Sequence, residues 1–151
     1  MFRFRLQSVL ELRQAVEKES AATLSQARVK ADAARDERTK LQDALMQNIA
    51  RLHGQGAASV GEMRARSDAV TRLEARVRNA AEQVDEAETA VLESDIAFQA
   101  AFRERHVLDR LKDRYSLLWR LAASKGELSE MDGIALARFA ASTSAPGEES
   151  S

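Results

Sequence analysis

The chain has no cysteine and one proline, and only six of its 151 residues are glycine. The absence of cysteine excludes a disulfide scaffold and a thiolate metal site, and it fits a reducing compartment. Aromatic residues make up 5% of the chain, so large apolar side chains are scarce for a compact globule of this size. No apolar run approaches the roughly 18 residues of a membrane span, and no signal-peptide core follows the N-terminus. We therefore expect a cytoplasmic protein.

Charge is abundant but balanced. Charged residues make up 31% of the chain and the net charge is −1, which gives no reason to expect nucleic-acid binding. Alanine, arginine, glutamate and leucine dominate the remaining composition. This mixture is typical of long helices and coiled coils.

Glycine positions divide the chain into two long helical stretches. Gly54 and Gly56 follow a stretch without glycine or proline, and Ser59 with Glu62 matches a capping box that starts a second helix. We predict an all-α fold, a long antiparallel two-helix coiled-coil hairpin. Helix one covers about 3–53, the turn 54–59, and helix two about 60–124, where Gly126 stops it. A short helical segment and a disordered tail from Ala140 fill residues 125–151.

Apolar residues recur at alternating spacings of three and four along both stretches, which indicates a coiled-coil seam. The predicted seam consists of Leu6, Leu10, Leu24, Leu41, Leu45, Leu52, Leu73, Val77, Val84, Val91, Phe98 and Leu108. If the turn centres near residues 55–57, residue i faces about residue 112 minus i. Phe2, Phe4 and Leu6 would then lie beside Phe102, Leu108 and Leu111, and everything from Leu111 onward would overhang the hairpin.

Charges are segregated along the chain. Residues 79–102 contain six acidic residues and no lysine or arginine, whereas Arg103, Arg105, Arg110, Lys112, Arg114 and Arg120 follow them. Antiparallel pairing brings this basic block near Arg3 and Arg5. The segregation favours a polarised molecule whose two ends meet different partners, while a solvated helix face with local ion pairs explains any single charge equally well.

No catalytic or metal-binding pattern stands out. His53 and His106 have no second ligand at a suitable spacing, and the glycine-rich stretch lacks the ending of a phosphate-binding loop. We expect no cofactor, no metal and no enzymatic activity.

The opening "FRFRLQSVLELRQAVEKES" resembles the N-terminal signature of the FliJ family, the coiled-coil component of the flagellar type III export apparatus. The matching positions are Phe2, Phe4, Leu6, Val9, Leu10, Leu12 and Arg13. "LDRLKDRYSLLW" and "MDGIALARF" are similar to the closing segments of that family.

The resemblance implies a stalk protein in the centre of the hexameric export ATPase, FliI, that also contacts the cytoplasmic domain of the export gate, FlhA. It also implies an escort role for export chaperones and a position at the cytoplasmic face of the inner membrane. We assign the ATPase to the basic end, through Phe2, Arg3, Phe4, Arg5, Arg110, Arg114, Tyr115 and Trp119. We assign the gate to the turn end, through Val60, Met63 and Val70. The terminal aromatics could equally be a structural clamp on the open end of the coil.

Two other functions remain open. One is a stalk of the injectisome, which would act in the same way as the flagellar stalk but on another ATPase. A self-associating structural coiled coil would use the seam from Val70 to Ala101 between chains. A helix lying on a membrane surface is disfavoured, because the basic residues do not gather opposite one broad apolar face.

Overall fold

Two long α-helices account for nearly all of the residues that the computed structural model describes, which are 1–54, 56 and 59–143. Helix α1 covers Gln7–Gly54 and α2 covers Val60–Thr143, and no β-strand occurs in these ranges. Arg35 of α1 pairs with Glu88 of α2, and Glu17 pairs with Arg105, so the helices run antiparallel. The predicted all-α class with two long helices packed against each other is confirmed.

The chain enters α1 through a non-helical segment whose burial alternates as in an extended chain, and we call it the extended segment. Residues 1–4 are not helical, and the N–H of Gln7 donates to the carbonyl of Phe4 at 3.1 Å. Successive side chains of an extended segment point to opposite sides. Phe2 and Phe4 are accordingly half-buried, whereas Arg3 and Arg5 are exposed. A helix could not produce this alternation, and the predicted start of helix one at about residue 3 is wrong.

A serine cap begins α2. The hydroxyl of Ser59 accepts a hydrogen bond from the N–H of Glu62 at 3.2 Å, as the capping-box pattern predicts. The carbonyl of Ser59 accepts the N–H of Met63 at 3.0 Å. Of the predicted turn 54–59, Gly54 belongs to α1, and residues 55, 57 and 58 lie outside the described residues.

The end of α2 differs from the prediction. The helix continues through Gly126 and Gly133 to Thr143, so the predicted end near residue 124 is wrong. A glycine stops a helix by adopting a left-handed conformation, and no described glycine has a positive φ. Good helix formers surround both glycines, and each glycine costs the helix only about 1 kcal/mol.

The predicted short helix around residues 131–139 is therefore part of α2. The predicted disordered tail begins at Ala140, but residues 140–143 are helical, and its remainder lies outside the described residues.

The described chain divides into two packing units. One is Leu12–Arg105, and the other combines Met1–Glu11 with the chain from His106 onward. In the first unit the buried apolar side chains are Leu24, Ala27, Ala31, Leu41, Ala80, Val84 and Ala101. Because four of these seven are alanine, few large side chains hold that unit together. In the second unit Leu10 is 1% exposed.

The predicted seam residues fall into three burial classes. Buried ones are Leu10, Leu24, Leu41 and Val84. Half-buried ones are Leu45, Leu52, Leu73, Val77, Val91, Phe98 and Leu108. Leu6 is 38% exposed, because it lies in the turn before α1 rather than on its inner face. Leu6 therefore precedes the helical part of the seam.

The register between the helices also differs from the prediction. The predicted count would put Glu17 opposite residue 95 and Arg35 opposite residue 77, whereas they pair with Arg105 and Glu88. The observed partners lie about three helical turns farther along α2. Residues 60–65 are all exposed, so α2 begins with a stretch that no part of α1 covers. Equal counting outward from the turn therefore misplaces the pairing.

Cross-helix ion pairs accompany this register within Leu12–Arg105. Glu17 and Arg105 form a two-point pair whose side chains are only 18% and 21% exposed. Arg35 donates to Glu88 at 3.0 Å and to Asp32 at 2.8 Å. The hydrogen bond to Glu88, with the charges of both carboxylates, raises the pKa of Arg35 above its usual value despite some opposing desolvation. Arg105, which interrupts the apolar seam, is thus satisfied by Glu17.

Candidate functional site

Four aromatic side chains meet in the unit that contains the chain start. The rings of Phe2 and Trp119 have centroids 6.3 Å apart and are tilted by 53°. Those of Phe4 and Tyr115 are also 6.3 Å apart, with a tilt of 44°. We call Phe2, Phe4, Tyr115 and Trp119 the aromatic clasp. Tilted pairs at this distance each contribute about 0.5–1.5 kcal/mol beyond their buried area.

Two periodicities produce the clasp. Phe2 and Phe4 are two residues apart in an extended segment, so both rings point to the same side. Tyr115 and Trp119 are four residues apart on a helix, so both lie on one face. The extended segment runs antiparallel to α2, and each phenylalanine therefore meets one aromatic residue.

The clasp borders a concave surface with a volume of about 680 Å³. Its lining consists of Phe2, Arg3, Phe4, Arg5, Leu6, Tyr115 and Trp119. Tyr115 is 50% exposed and Trp119 45% exposed, so the clasp leaves about half of each of these residues open to solvent. Aromatic rings beside arginine are the residue types that most often anchor protein interfaces.

Six of the eight residues assigned to the ATPase meet at this surface. Arg110 and Arg114 are exposed on α2, but they do not line the cavity. Each lies five residues before a clasp residue, an offset that places it on another side of the helix. The rings of Phe2 and Phe4 meet those of Trp119 and Tyr115, which were not among their expected neighbours.

The residues assigned to the ATPase omit two that line this surface. Leu6 lines the main cavity, and Lys112 lines a second concavity of about 410 Å³ together with Phe2, Phe4 and Gln7. Lys112 lies three residues before Tyr115, so helical spacing could have placed it beside the clasp. With Arg3 and Arg5 it makes the border of the clasp cationic.

The turn end presents a smaller apolar surface in the other unit. Val60 is 74% exposed and Met63 43% exposed, and both line a concavity of about 450 Å³ with Leu52 and His53. Val70, the third residue assigned to the gate, is half-buried and does not line it.

Among the described residues, no group of three or more histidine, aspartate or glutamate side chains is arranged to hold a metal ion. None of the described helices combines the length and the apolar character that crossing a membrane would require.

Comparison with known proteins finds one family whose profile matches this chain and one solved structure that is similar to it. The sequence profile of the family described as "Flagellar FliJ protein" matches residues 1–144, which include the whole clasp. No curated protein matches the chain. A solved structure described as a candidate YscO homologue from Chlamydia trachomatis is 17% identical, with a TM-score of 0.46. That similarity covers 96% of this chain and 100% of the other.

Proposed function

The chain belongs to the FliJ family of the type III export apparatus, and from this premise we propose that it is a non-enzymatic stalk that binds the flagellar export ATPase through the aromatic clasp. The same proposal assigns the export gate to the turn end and makes export chaperones possible further partners. The stalk would act at the cytoplasmic face of the inner membrane, in flagellar protein secretion and flagellum assembly.

The half-exposed rings of the clasp carry the proposal. A clamp that served stability alone would gain most by burying its aromatic rings completely, yet Tyr115 and Trp119 keep about half of their surface exposed. Arg3 and Arg5 line the same concavity, and they suit an acidic or carbonyl-rich partner surface. An apolar centre with a polar, charged border is the usual anatomy of a protein interface.

The seam from Val70 to Ala101 does not favour the self-associating alternative. Ala80, Val84 and Ala101 are buried within the hairpin unit of a single chain. Another chain could use these side chains only after the hairpin opened.

The test measures binding and ATP hydrolysis by the purified flagellar export ATPase of the same organism, with and without this protein. We predict that Phe2→Ala with Phe4→Ala weakens binding at least about tenfold, because truncated interface anchors typically cost 2 kcal/mol or more. The matched control is Val60→Ala with Met63→Ala, which removes apolar surface at the turn end.

Circular dichroism first verifies that both variants keep their helices. If the turn-end variant loses the ATPase and the clasp variant keeps it, the assignment of the two ends is reversed. If the unaltered protein stimulates an injectisome ATPase and leaves the flagellar one unaffected, the flagellar assignment is wrong.

A further inference from the structure

The last part of α2 is a helix that nothing in the described chain covers. All residues from 124 to 142 are exposed. A single helix in water is marginal without packing against another surface, and Gly126 and Gly133 lower its stability further. A helix of this composition therefore gains stability from a covering partner.

The sequence of this stretch contains an apolar stripe. Leu117, Leu121, Ser124, Leu128, Met131 and Ala135 follow one another at alternating spacings of four and three. This is the spacing of a coiled-coil seam. Leu121 is 50% exposed, Leu128 61% and Met131 67%. We call these six residues the distal stripe.

The distal stripe is separate from the aromatic clasp. Leu117 and Leu121 each lie two residues from Trp119, and two residues correspond to about 200° around a helix. The stripe and the clasp thus lie on nearly opposite sides of α2. A partner on the stripe leaves the clasp free, and the inference does not depend on the proposed function.

We propose that the distal stripe binds the distal stripe of a second copy of this chain, in antiparallel orientation. The last four positions of the stripe pair with one another. When Leu128 packs against Met131 of the second copy, Ser124 meets Ala135 of that copy, while Leu121 lies at the end of the contact, opposite Arg138. The seam is short and thin, so the association is weak and depends on concentration.

Charge complementarity favours a second copy of this chain as the partner, and it favours the antiparallel orientation. Lys125 and Asp132 flank the same side of the stripe, one heptad apart. In the antiparallel pair, Lys125 of each copy lies next to Asp132 of the other, which gives two attractive contacts. In a parallel pair, Arg120 would face Lys125 and Glu127 would face Asp132, and both contacts would be repulsive.

Sedimentation equilibrium of the full chain over a range of concentrations tests the proposal. The expected result is a reversible monomer–dimer equilibrium that Leu128→Asp abolishes. Leu136→Asp is the matched control, because Leu136 is 69% exposed on the same helix but lies outside the stripe. Leu136→Asp should keep the helicity of the unaltered chain, whereas Leu128→Asp should lose at most the share that residues 124–142 contribute, because it removes their covering partner.

A charge exchange tests the orientation. Lys125→Glu and Asp132→Lys should each raise the dimer dissociation constant about tenfold, because two attractive contacts become repulsive. The double variant K125E/D132K should restore it, and Lys40→Glu should leave it unchanged.

Three results would overturn the proposal: a monomer at every concentration, a dimer that Leu128→Asp leaves intact, or a double variant without rescue. If Leu128→Asp instead weakens binding to the export ATPase without affecting self-association, the stripe belongs to that partner.

Discussion

Val84 offers the sharpest test of the hairpin core, because its side chain is only 1% exposed in a unit whose core is otherwise rich in alanine. The perturbation is Val84→Asp. Losing the buried valine costs about 1.5–2 kcal/mol, and placing a carboxyl in the same apolar site costs at least about 2 kcal/mol more. The expected loss in the free energy of unfolding is therefore about 4 kcal/mol.

This loss is large relative to the stability of a small protein, about 5–15 kcal/mol in total. For a chain of this length it corresponds to a fall in melting temperature of about 10 °C. The measurement is thermal and urea unfolding followed by circular dichroism. Leu92→Asp is the control, since Leu92 is 65% exposed on the same helix and its change should cost less than about 0.5 kcal/mol.

The pH dependence of the Val84→Asp variant gives a second measurement. Burial raises the folded-state pKa of the introduced carboxyl above its unfolded value of about 3.9. The variant is therefore least destabilised at pH values below the unfolded-state pKa of this carboxyl. The destabilisation grows as the pH rises through its folded-state pKa. Melting equal to that of the unaltered chain at neutral pH would refute the buried position of Val84.

Three further substitutions test the ion pairs and the extent of α2. Glu17→Gln should lower the free energy of unfolding more than Arg13→Gln does. The reason is that the Glu17–Arg105 pair is mostly buried, whereas the side chains of Arg13 and Glu104 are 41% and 53% exposed. Urea unfolding measures both losses, and equal losses would contradict the burial argument. Gly126→Ala should increase helicity and stabilise the chain by up to about 1 kcal/mol, since a Cβ there meets nothing within 4 Å. Reduced helicity in the circular dichroism spectrum would show that Gly126 ends the helix after all.

Periodicity explains which parts of the fold could be predicted. The spacing of Leu24, Leu41 and Val84 depends only on local sequence, and it identifies side chains that the structure buries. The register between helices has no such local signal, because a repeating seam does not fix which turn of one helix faces which turn of the other. Gly126 is ambiguous for a different reason, since the sequence does not show whether a glycine adopts a left-handed conformation.

The candidate site was predictable in part. The alternation of Phe2, Arg3, Phe4 and Arg5 has the period of an extended chain, and that signal could have shown that α1 begins later. The partners of the two phenylalanines depend on the register, so Tyr115 and Trp119 could be identified as aromatic residues near the site but not as their direct neighbours. Lys112 was missed for the same reason.

The aromatic clasp has buried surface that stabilises the fold and exposed surface that a partner could cover. Each aromatic pair of the clasp contributes about 0.5–1.5 kcal/mol within the chain. Tyr115 and Trp119 keep 50% and 45% of their surface exposed. An aromatic side chain buries about 150–250 Å², so each could still bury about 100 Å² against a partner, which corresponds to about 2.5 kcal/mol. By the same measure the buried halves of these side chains already stabilise the fold by a similar amount, and the ring pairs add to it. The magnitudes are therefore compatible with a clamp and a binding surface together, and truncating Phe2 and Phe4 should lower the melting temperature as well as weaken binding at this surface.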